Sequence, residues 1–433
     1  MTTDAPDRVE SPEEPSTIRR IGAGVSWLLV LTLGASVVNY ASNLLFSRVL
    51  DRAGFGELTA LMSLAVVLAI PAAAAQTVIA ERVAFYAAEG RLDIVRYLVR
   101  HATAHVALIA GIIGTAYVLL IPVVIEAFGL RAPGPAIALA PLVFLSFVLP
   151  VALAVLQGME RFIALGIVLL AMSVARVGFG VPWALAGGGA GGAIAGQALG
   201  LVVVLIASMI VLRKLRQPGG RGAARSGLKR KFDIGTASAS AAFVAFAVVS
   251  NLDILLAKLY LSPDDAGVYA AISTVGKIVT FLPSTVAVVM VPNAVRAKRS
   301  EGTTSRVLRL AAILVGAIAA LAAVPAALAP DLVVSLMFGP GYESAASGVL
   351  PIVVAGAILA LIYLLVVYSV AMRDRRWFIV LVLGVALQIA GISAFHDTPT
   401  QIAVVQACVL GLVLLVNERW FHALLIPRRE RRA

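Results

Sequence analysis

Four charged side chains lie inside long apolar stretches of this 433-residue sequence. Asp253 and Lys258 both occur in VVSNLDILLAKLYL, and Arg176 and Lys277 each occur alone among apolar and small residues. An ionisable group in such surroundings needs a partner or a polar cavity. Arginine binds phosphate bidentately, whereas lysine provides a point charge. If the elements that carry them meet, these residues indicate an interior that binds an anion.

Composition places these charges in a membrane protein. The chain is 61% hydrophobic and 13% charged, whereas ordinary globular domains are about 25% charged. The net charge of +12 comes from basic residues that cluster in short segments between apolar stretches, which is typical of cytoplasmic loops. We therefore expect no nucleic-acid partner. The single cysteine, Cys408, excludes an intrachain disulfide.

Twelve apolar segments are long enough to cross a bilayer as helices, which need about 20 residues. Helices are expected because a spanning segment must satisfy its own backbone hydrogen bonds in lipid. The sequence therefore predicts an all-α polytopic membrane protein with about 12 transmembrane helices. The predicted spans are 21–47, 56–80, 103–125, 135–157, 162–184, 190–212, 233–260, 267–293, 305–328, 347–371, 376–395 and 399–425.

The loops predict the organisation and orientation of the chain. Residues 1–20 are predicted to form a disordered acidic tail. Two lobes of six helices follow, an N-lobe at 21–212 and a C-lobe at 233–425, joined by a basic linker at 213–232. A basic tail occupies 426–433. The charge distribution predicts that the linker and both termini are cytoplasmic.

The two predicted lobes contain a weak internal repeat. LDRAGFGEL at 50–58 follows the first span, and SPDDAGVYA at 262–270 follows the seventh. Pro71 and Pro283 are also separated by 212 residues. Because six spans separate the equivalents, the lobes have the same orientation in the membrane. This indicates a two-lobe transporter arrangement, a parallel repeat whose axis lies along the membrane normal.

Two segments resemble a known family. NYASNLLFSRVLDRAGFGEL and VSNLDILLAKLYLSPDDAGVYAAISTVGK are similar to polysaccharide transporters of the multidrug/oligosaccharidyl-lipid/polysaccharide (MOP) exporter superfamily. The resemblance implies a multi-pass protein of a bacterial-type plasma membrane with a cationic cavity between its lobes. It also implies that this cavity receives the pyrophosphate and glycan of a polyprenyl-linked sugar, which alternating access carries from the inner to the outer leaflet.

Arg176 and Lys277 are the leading candidates for substrate binding. At 1.5 Å per residue they lie roughly 21 Å and 15 Å inside their spans, which is too deep for snorkelling alone. Lys277 could instead pair with Asp253, which is also a candidate for ion coupling. Arg48 and Lys258 end the first and seventh spans. They either snorkel to the interface or line an outward mouth for substrate.

Amides add hydrogen-bonding capacity that suits sugar hydroxyls or, alternatively, helix packing. GGGAGG at 187–192 matches a nucleotide fingerprint in spacing only, since no strand precedes it. Gly192, Gly196 and Gly200 continue at four-residue spacing and predict close helix packing. The amides are Asn39, Asn43, Gln76, Gln157, Gln197, Asn251 and Gln388.

The expected function is the flipping of lipid-linked oligosaccharide, with no cofactor, metal or catalytic residue. A multidrug or organic-cation antiporter of the same superfamily and a non-transporting scaffold for glycan assembly remain alternatives. An enzyme is disfavoured because the longest outer connection, near 329–347, contains only two acids, Asp331 and Glu343. The expected partners are the lipid-linked glycan, membrane lipids and glycosyltransferases or a polymerase of the same pathway.

Overall fold

The computed structural model describes residues 14–212, 234–297, 304–371 and 376–421, and every regular element in these ranges is a helix. The N-lobe contains α1 (Glu14–Val49), α2 (Arg52–Leu68), α3 (Ile70–Ala88), α4 (Leu92–Ala127), α5 (Gly134–Gly158), α6 (Phe162–Trp183) and α7 (Gly189–Val211). The C-lobe contains α8 (Ile234–Tyr260), α9 (Pro263–Ala297), α10 (Thr304–Leu328), α11 (Pro330–Phe338), α12 (Ala346–Ala371), α13 (Arg376–Ala394) and α14 (Pro399–Phe421).

These helices confirm the all-α membrane architecture. Within the described ranges, nine helical segments are long and apolar enough to cross a membrane, or ten if a bent pair counts as one span. One segment, Phe162–Val211, has 50 residues and contains both α6 and α7. The predicted fifth and sixth spans therefore lie within it, separated by a turn.

Glycines form the turn between α6 and α7 and the packing surface that follows it. Gly187 and Gly189 have φ angles of 91° and 51°, which glycine adopts without the steric cost of a Cβ atom. Further along α7, a Cβ atom at Gly196 would collide with the backbone of Phe179 in α6. Gly200 is similarly close to the backbone of Ala175. The close packing predicted from the glycine spacing is confirmed.

The second predicted span, 56–80, is a bent pair of helices. The structure forms α2 and α3 with a bend of 44° between them. Pro71 follows the break at Ala69, and a proline has no backbone N–H and sterically opposes a preceding helical turn. The bend lets α2 pack against the C-lobe while α3 remains beside α5.

The structure corrects the boundary of the predicted N-terminal tail, and three other predicted segments lie outside the described residues. α1 begins at Glu14, so residues 14–20 belong to the helix and not to the disordered tail predicted for 1–20. Pro15 and the neighbouring acidic residues are typical of a helix start. The remainder of that tail, the linker at 213–232 and the basic tail at 426–433 lie outside the described residues.

The lobes meet where the two repeat motifs approach each other. We call the end of the bundle that holds residues 50–58 and 262–270 the outer end, following the charge distribution. A Cβ atom at Gly56 of α2 would lie 2.8 Å from the backbone nitrogen of Gly267 in α9. A Cβ atom at Gly267 would overlap the carbonyl oxygen of Arg52. Only glycine permits this approach, which brings the two lobes into direct backbone contact at the outer end.

Candidate functional site

A cavity of about 440 Å³ lies between the lobes. Most of its wall comes from the N-lobe, and α8 and α9 complete it. Hydroxyl and amide side chains make up more than half of the lining, and Arg176 and Lys277 are its charged members. The lining residues are Asn39, Tyr40, Asn43, Thr59, Met62, Ser63, Ala65, Val66, Ala69, Leu142, Ser146, Met172, Ser173, Arg176, Gln197, Leu201, Ser250, Asn251, Thr274 and Lys277.

Arg176 is held by two amides of α1. Its Nη1 donates to Oδ1 of Asn39 at 2.6 Å, and its Nη2 donates to Oδ1 of Asn43 at 2.8 Å. The two asparagines are four residues apart and therefore share one helix face. The guanidinium carbon also lies 5.9 Å from the ring centroid of Phe46, within cation–π range. These contacts orient the guanidinium without neutralising it, and Nε has no partner among the described residues.

Lys277 is held in a similar way by the C-lobe. Its Nζ donates to Oδ1 of Asn251 at 3.0 Å. The hydroxyl of Tyr40 in α1 donates to the backbone oxygen of Lys277 at 3.4 Å, so the N-lobe contacts α9 at the level of the cavity. Lys277 and Arg176 both line this cavity. The structure thus places both predicted cations in one cavity.

Asp253 lies behind this cavity. Its Oδ2 accepts hydrogen bonds from the Tyr269 hydroxyl at 2.8 Å and the Ser273 hydroxyl at 3.2 Å. Ser273 lies one helical turn before Lys277, so the carboxylate is near that residue, but the described part of the chain contains no direct ion pair between them. Within the same ranges, no Asp or Glu lines the cavity. The described part of the cavity wall therefore presents two cations and no opposing carboxylate.

The sequence profile of a family described as polysaccharide biosynthesis proteins matches residues 93–347. The chain belongs to the polysaccharide biosynthesis protein family. This match covers more than half of the chain and includes Arg176, Asp253 and Lys277. The family resemblance predicted from the two segments is confirmed. No protein of curated function matches the sequence.

Solved structures share the fold of this polysaccharide biosynthesis protein. The lipid II flippase MurJ in an inward closed conformation has a TM-score of 0.67 at 11% identity, covering 92% of this chain and 87% of that chain. An inward-facing MATE multidrug resistance transporter of the MOP superfamily has a TM-score of 0.66 at 13% identity, covering 91% and 98%. An outward-facing MATE structure has a TM-score of 0.57 at 14% identity, covering 92% and 94%. At these identities the likeness concerns the fold, which is the two-lobe MOP arrangement.

Arg48 and Lys258, also predicted to bind substrate, do not line the described cavity. Arg48 reaches across the lobes and donates from Nη2 to the carbonyl oxygen of Leu336 at 2.7 Å, in the last turn of α11. A cation at this position complements the helix dipole. Lys258 is only 3% exposed, has no hydrogen-bond partner for Nζ among the described residues, and is attracted to Glu57 of the N-lobe. Both cations lie at the outer closure, and their role in substrate binding stays a prediction.

Glu57 was not singled out from the sequence, although it lies inside the first repeat motif. Its Oε1 accepts a hydrogen bond from the backbone N–H of Arg131 at 3.1 Å. Arg131 also forms a bidentate pair with Asp51, at 2.6 Å and 2.9 Å. These hydrogen bonds lower the pKa of the Asp51 carboxyl and raise the pKa of Arg131. The network ties α2 to the loop after α4.

The predicted amides divide into two groups. Asn39, Asn43, Gln197 and Asn251 line the cavity. The three asparagines hydrogen-bond its cations, and this pairing was not predicted from the sequence. Gln388 is buried inside the C-lobe, where Nε2 donates to the backbone of Val249 at 3.3 Å and to the side chain of Gln406. Gln76 and Gln157 lie outside the cavity lining. Sequence spacing could indicate the i, i+4 asparagine pair but not the helix that faces it.

Proposed function

We propose that this protein flips polyprenyl-pyrophosphate-linked oligosaccharide, a precursor of cell-envelope glycan, from the inner to the outer leaflet. The observation that carries the proposal is the pair of cations, Arg176 and Lys277, in a cavity whose described lining contains no carboxylate. A pyrophosphate would satisfy both charges, because charge-assisted hydrogen bonds are strongest between ionised partners. The hydroxyls and amides around them suit the sugar that follows the pyrophosphate.

The closed outer end supports loading from the cytoplasmic side. The contact between Gly56 and Gly267 holds the two lobes together at the end that we assign to the outside. The TM-score is also higher against the inward-facing than against the outward-facing MATE structure, 0.66 against 0.57. In the proposed cycle the lobes separate at this contact after loading and release the substrate to the outer leaflet, while the polyprenyl chain remains in lipid.

The proposed location is a bacterial-type plasma membrane with both termini in the cytoplasm. The basic loops motivate this orientation. In a Cys408→Ala background, a cysteine at Thr398, between α13 and α14, should react with an impermeant thiol reagent added outside intact cells. A cysteine at Arg225, in the linker outside the described residues, should react only after permeabilisation. Reaction of both from the same side would contradict this topology. Glycosyltransferases or a polymerase of the same pathway are the proposed protein partners.

Reconstituted flipping tests the proposed activity. Proteoliposomes would contain a fluorescent isoprenyl-pyrophosphate-linked sugar, and dithionite added outside would report the fraction that changes leaflet. The protein should accelerate exchange of this lipid but should not accelerate uptake of tetraphenylphosphonium, a lipophilic cation. Uptake of the cation alone would favour the organic-cation antiporter. Activity with neither compound, in protein that remains folded and bound to glycan-assembly enzymes, would favour the scaffold.

A further inference from the structure

Two asparagines in equivalent positions contact the two cavity cations. Asn39 of α1 and Asn251 of α8 are 212 residues apart, the same separation as Pro71 and Pro283 in the internal repeat. Each uses its side-chain oxygen to accept a hydrogen bond from a cation. The distances are 2.6 Å from Nη1 of Arg176 and 3.0 Å from Nζ of Lys277.

The chemistry of the acceptor decides whether the cation remains available to a ligand. A carboxylate at these distances would form an ion pair and remove the net charge. An amide oxygen orients the same donor but carries no charge, so the positive field persists. We propose that the neutral amides of Asn39 and Asn251 allow the cavity to select anions. This inference rests on the proposed transport of a pyrophosphate lipid.

The placement of Asp253 shows that α8 keeps its acid off the cavity wall. Asp253 lies two residues after Asn251, and two residues correspond to about 200° of rotation on a helix. The helix therefore presents the amide to Lys277 and the carboxylate to the hydroxyls of Tyr269 and Ser273. An exchange of amide for acid at position 251 would place a carboxylate on the cavity wall.

Replacing asparagine with aspartate tests this inference with little change in shape. Binding of farnesyl pyrophosphate and of tetraphenylphosphonium would be measured on the purified full-length protein in nanodiscs. Asn39→Asp and Asn251→Asp should each weaken binding of farnesyl pyrophosphate on the order of tenfold, the size of one charge-assisted hydrogen bond. The double variant should lose roughly 100-fold and gain measurable binding of the cation.

Two controls separate charge from shape and from location. Asn39→Ala removes the hydrogen bond without adding a carboxylate and should weaken anion binding much less than Asn39→Asp. Gln197→Glu adds an isosteric acid to a lining residue that hydrogen-bonds its own helix at Ala193, and its effect should also be smaller. Equal losses in Asn39→Asp and either control would overturn the inference. Thermal unfolding checks each variant, and Asn251→Asp provides the test from the other lobe if Asn39→Asp does not fold.

The outcomes distinguish this inference from the proposed function. If the wild-type protein binds farnesyl pyrophosphate and both aspartate variants keep its affinity within about twofold, which is below half of one hydrogen bond's contribution, only the role of the asparagines fails. If the wild-type protein binds tetraphenylphosphonium and not farnesyl pyrophosphate, both proposals fail. Anion binding that is lost in the aspartate variants, together with new cation binding, supports both.

Discussion

The two lobes repeat the same helical arrangement but carry their cavity cations on different helices. In the N-lobe the cation is Arg176 on α6, and the residue 212 positions later is Gln388 on α13. Gln388 faces Gln406 and Val249 within the C-lobe. In the C-lobe the cation is Lys277 on α9, and the residue 212 positions earlier is Ala65. The fold is repeated, whereas the charges are not.

This difference indicates that the two lobes have different roles in transport. The N-lobe holds a guanidinium between neutral amides, so its charge is undiminished and its geometry suits a phosphate. In the C-lobe, Ser273 lies one helical turn before Lys277 and hydrogen-bonds Asp253. A carboxylate therefore lies near the ammonium and partly offsets its positive field. We expect the N-lobe to dominate anion binding and the C-lobe to respond to protons or ions.

The largest expected effect tests this asymmetry directly. Arg176→Ala removes two charge-assisted hydrogen-bond donors, so flipping should fall by roughly 100-fold or more, whereas Lys277→Ala removes one and should cost about tenfold. Arg176→Lys should recover part of the rate, because it restores charge but not the planar fork. Initial rates in the dithionite assay provide the measurement.

Gln388→Ala is the matched control, since Gln388 is the repeat equivalent of Arg176 and lies outside the cavity lining. It should leave anion binding close to that of the wild type. Equal losses of flipping rate in Arg176→Ala and Lys277→Ala, or normal transport in Arg176→Ala, would contradict the expectation that the N-lobe dominates anion binding.

A smaller effect is expected at the contact between the repeat motifs. Gly267→Ala places a methyl group against the carbonyl of Arg52, and overpacking typically costs about 1–3 kcal/mol. The outer end should therefore open more often, and a cysteine at the cavity residue Thr59 should react faster with an impermeant reagent added outside. Gly111→Ala is the control, because no heavy atom lies within 4 Å of its added Cβ atom. Equal reaction rates in the two variants would show that this contact is not the closure.

Asp253→Asn should change how transport depends on pH or on ions more than it changes the maximal rate. The exchange removes the carboxylate near Lys277 but retains hydrogen bonding to Tyr269 and Ser273. Affinity for farnesyl pyrophosphate should stay the same or rise, because the cavity field becomes more positive. Transport across a pH series, with and without sodium, provides the test. A pH and ion profile identical to the wild type, with unchanged thermal stability, would remove both roles proposed for Asp253.

The smallest effect is expected at the outer surface of the N-lobe. Asp51 pairs with Arg131 in an exposed site, and such pairs contribute about 0–1 kcal/mol. Because folding lowers the pKa of Asp51, this contribution is present above the unfolded pKa of about 3.9. It disappears as the pH falls through the lower, folded value. Asp51→Asn should therefore lower the melting temperature slightly at pH 7, and the difference should vanish in strong acid.

Asp93→Asn provides the comparison for this last variant, since the ion pair of Asp93 with Arg91 is longer, at 3.9 Å. Its melting temperature should change less than that of Asp51→Asn at pH 7. The reverse order would assign the stabilisation to a feature other than the bidentate pair.

The sequence by itself determined the membrane class, the helices and the depth of the buried charges. Apolar segments of bilayer length must form helices because lipid offers no hydrogen bonds to the backbone. Helical rise then places Arg176 and Lys277 far from either surface. The repeat motifs, and the family resemblance of the segments that contain them, also predicted the two-lobe fold. These features depend only on local composition and on spacing along the chain.

Only the tertiary structure decided which groups these charges meet. Arg176 contacts Asn39 across 137 positions of sequence, and the rotation of each helix sets whether a side chain faces the cavity or the lobe interior. That rotation turned Asp253 toward Tyr269 and left Asn251 for Lys277. Arg48 lies at the outer closure because the approach of the lobes brings α11 within reach. Such contacts arise from packing between distant segments, and spacing along the chain does not encode the facing helix.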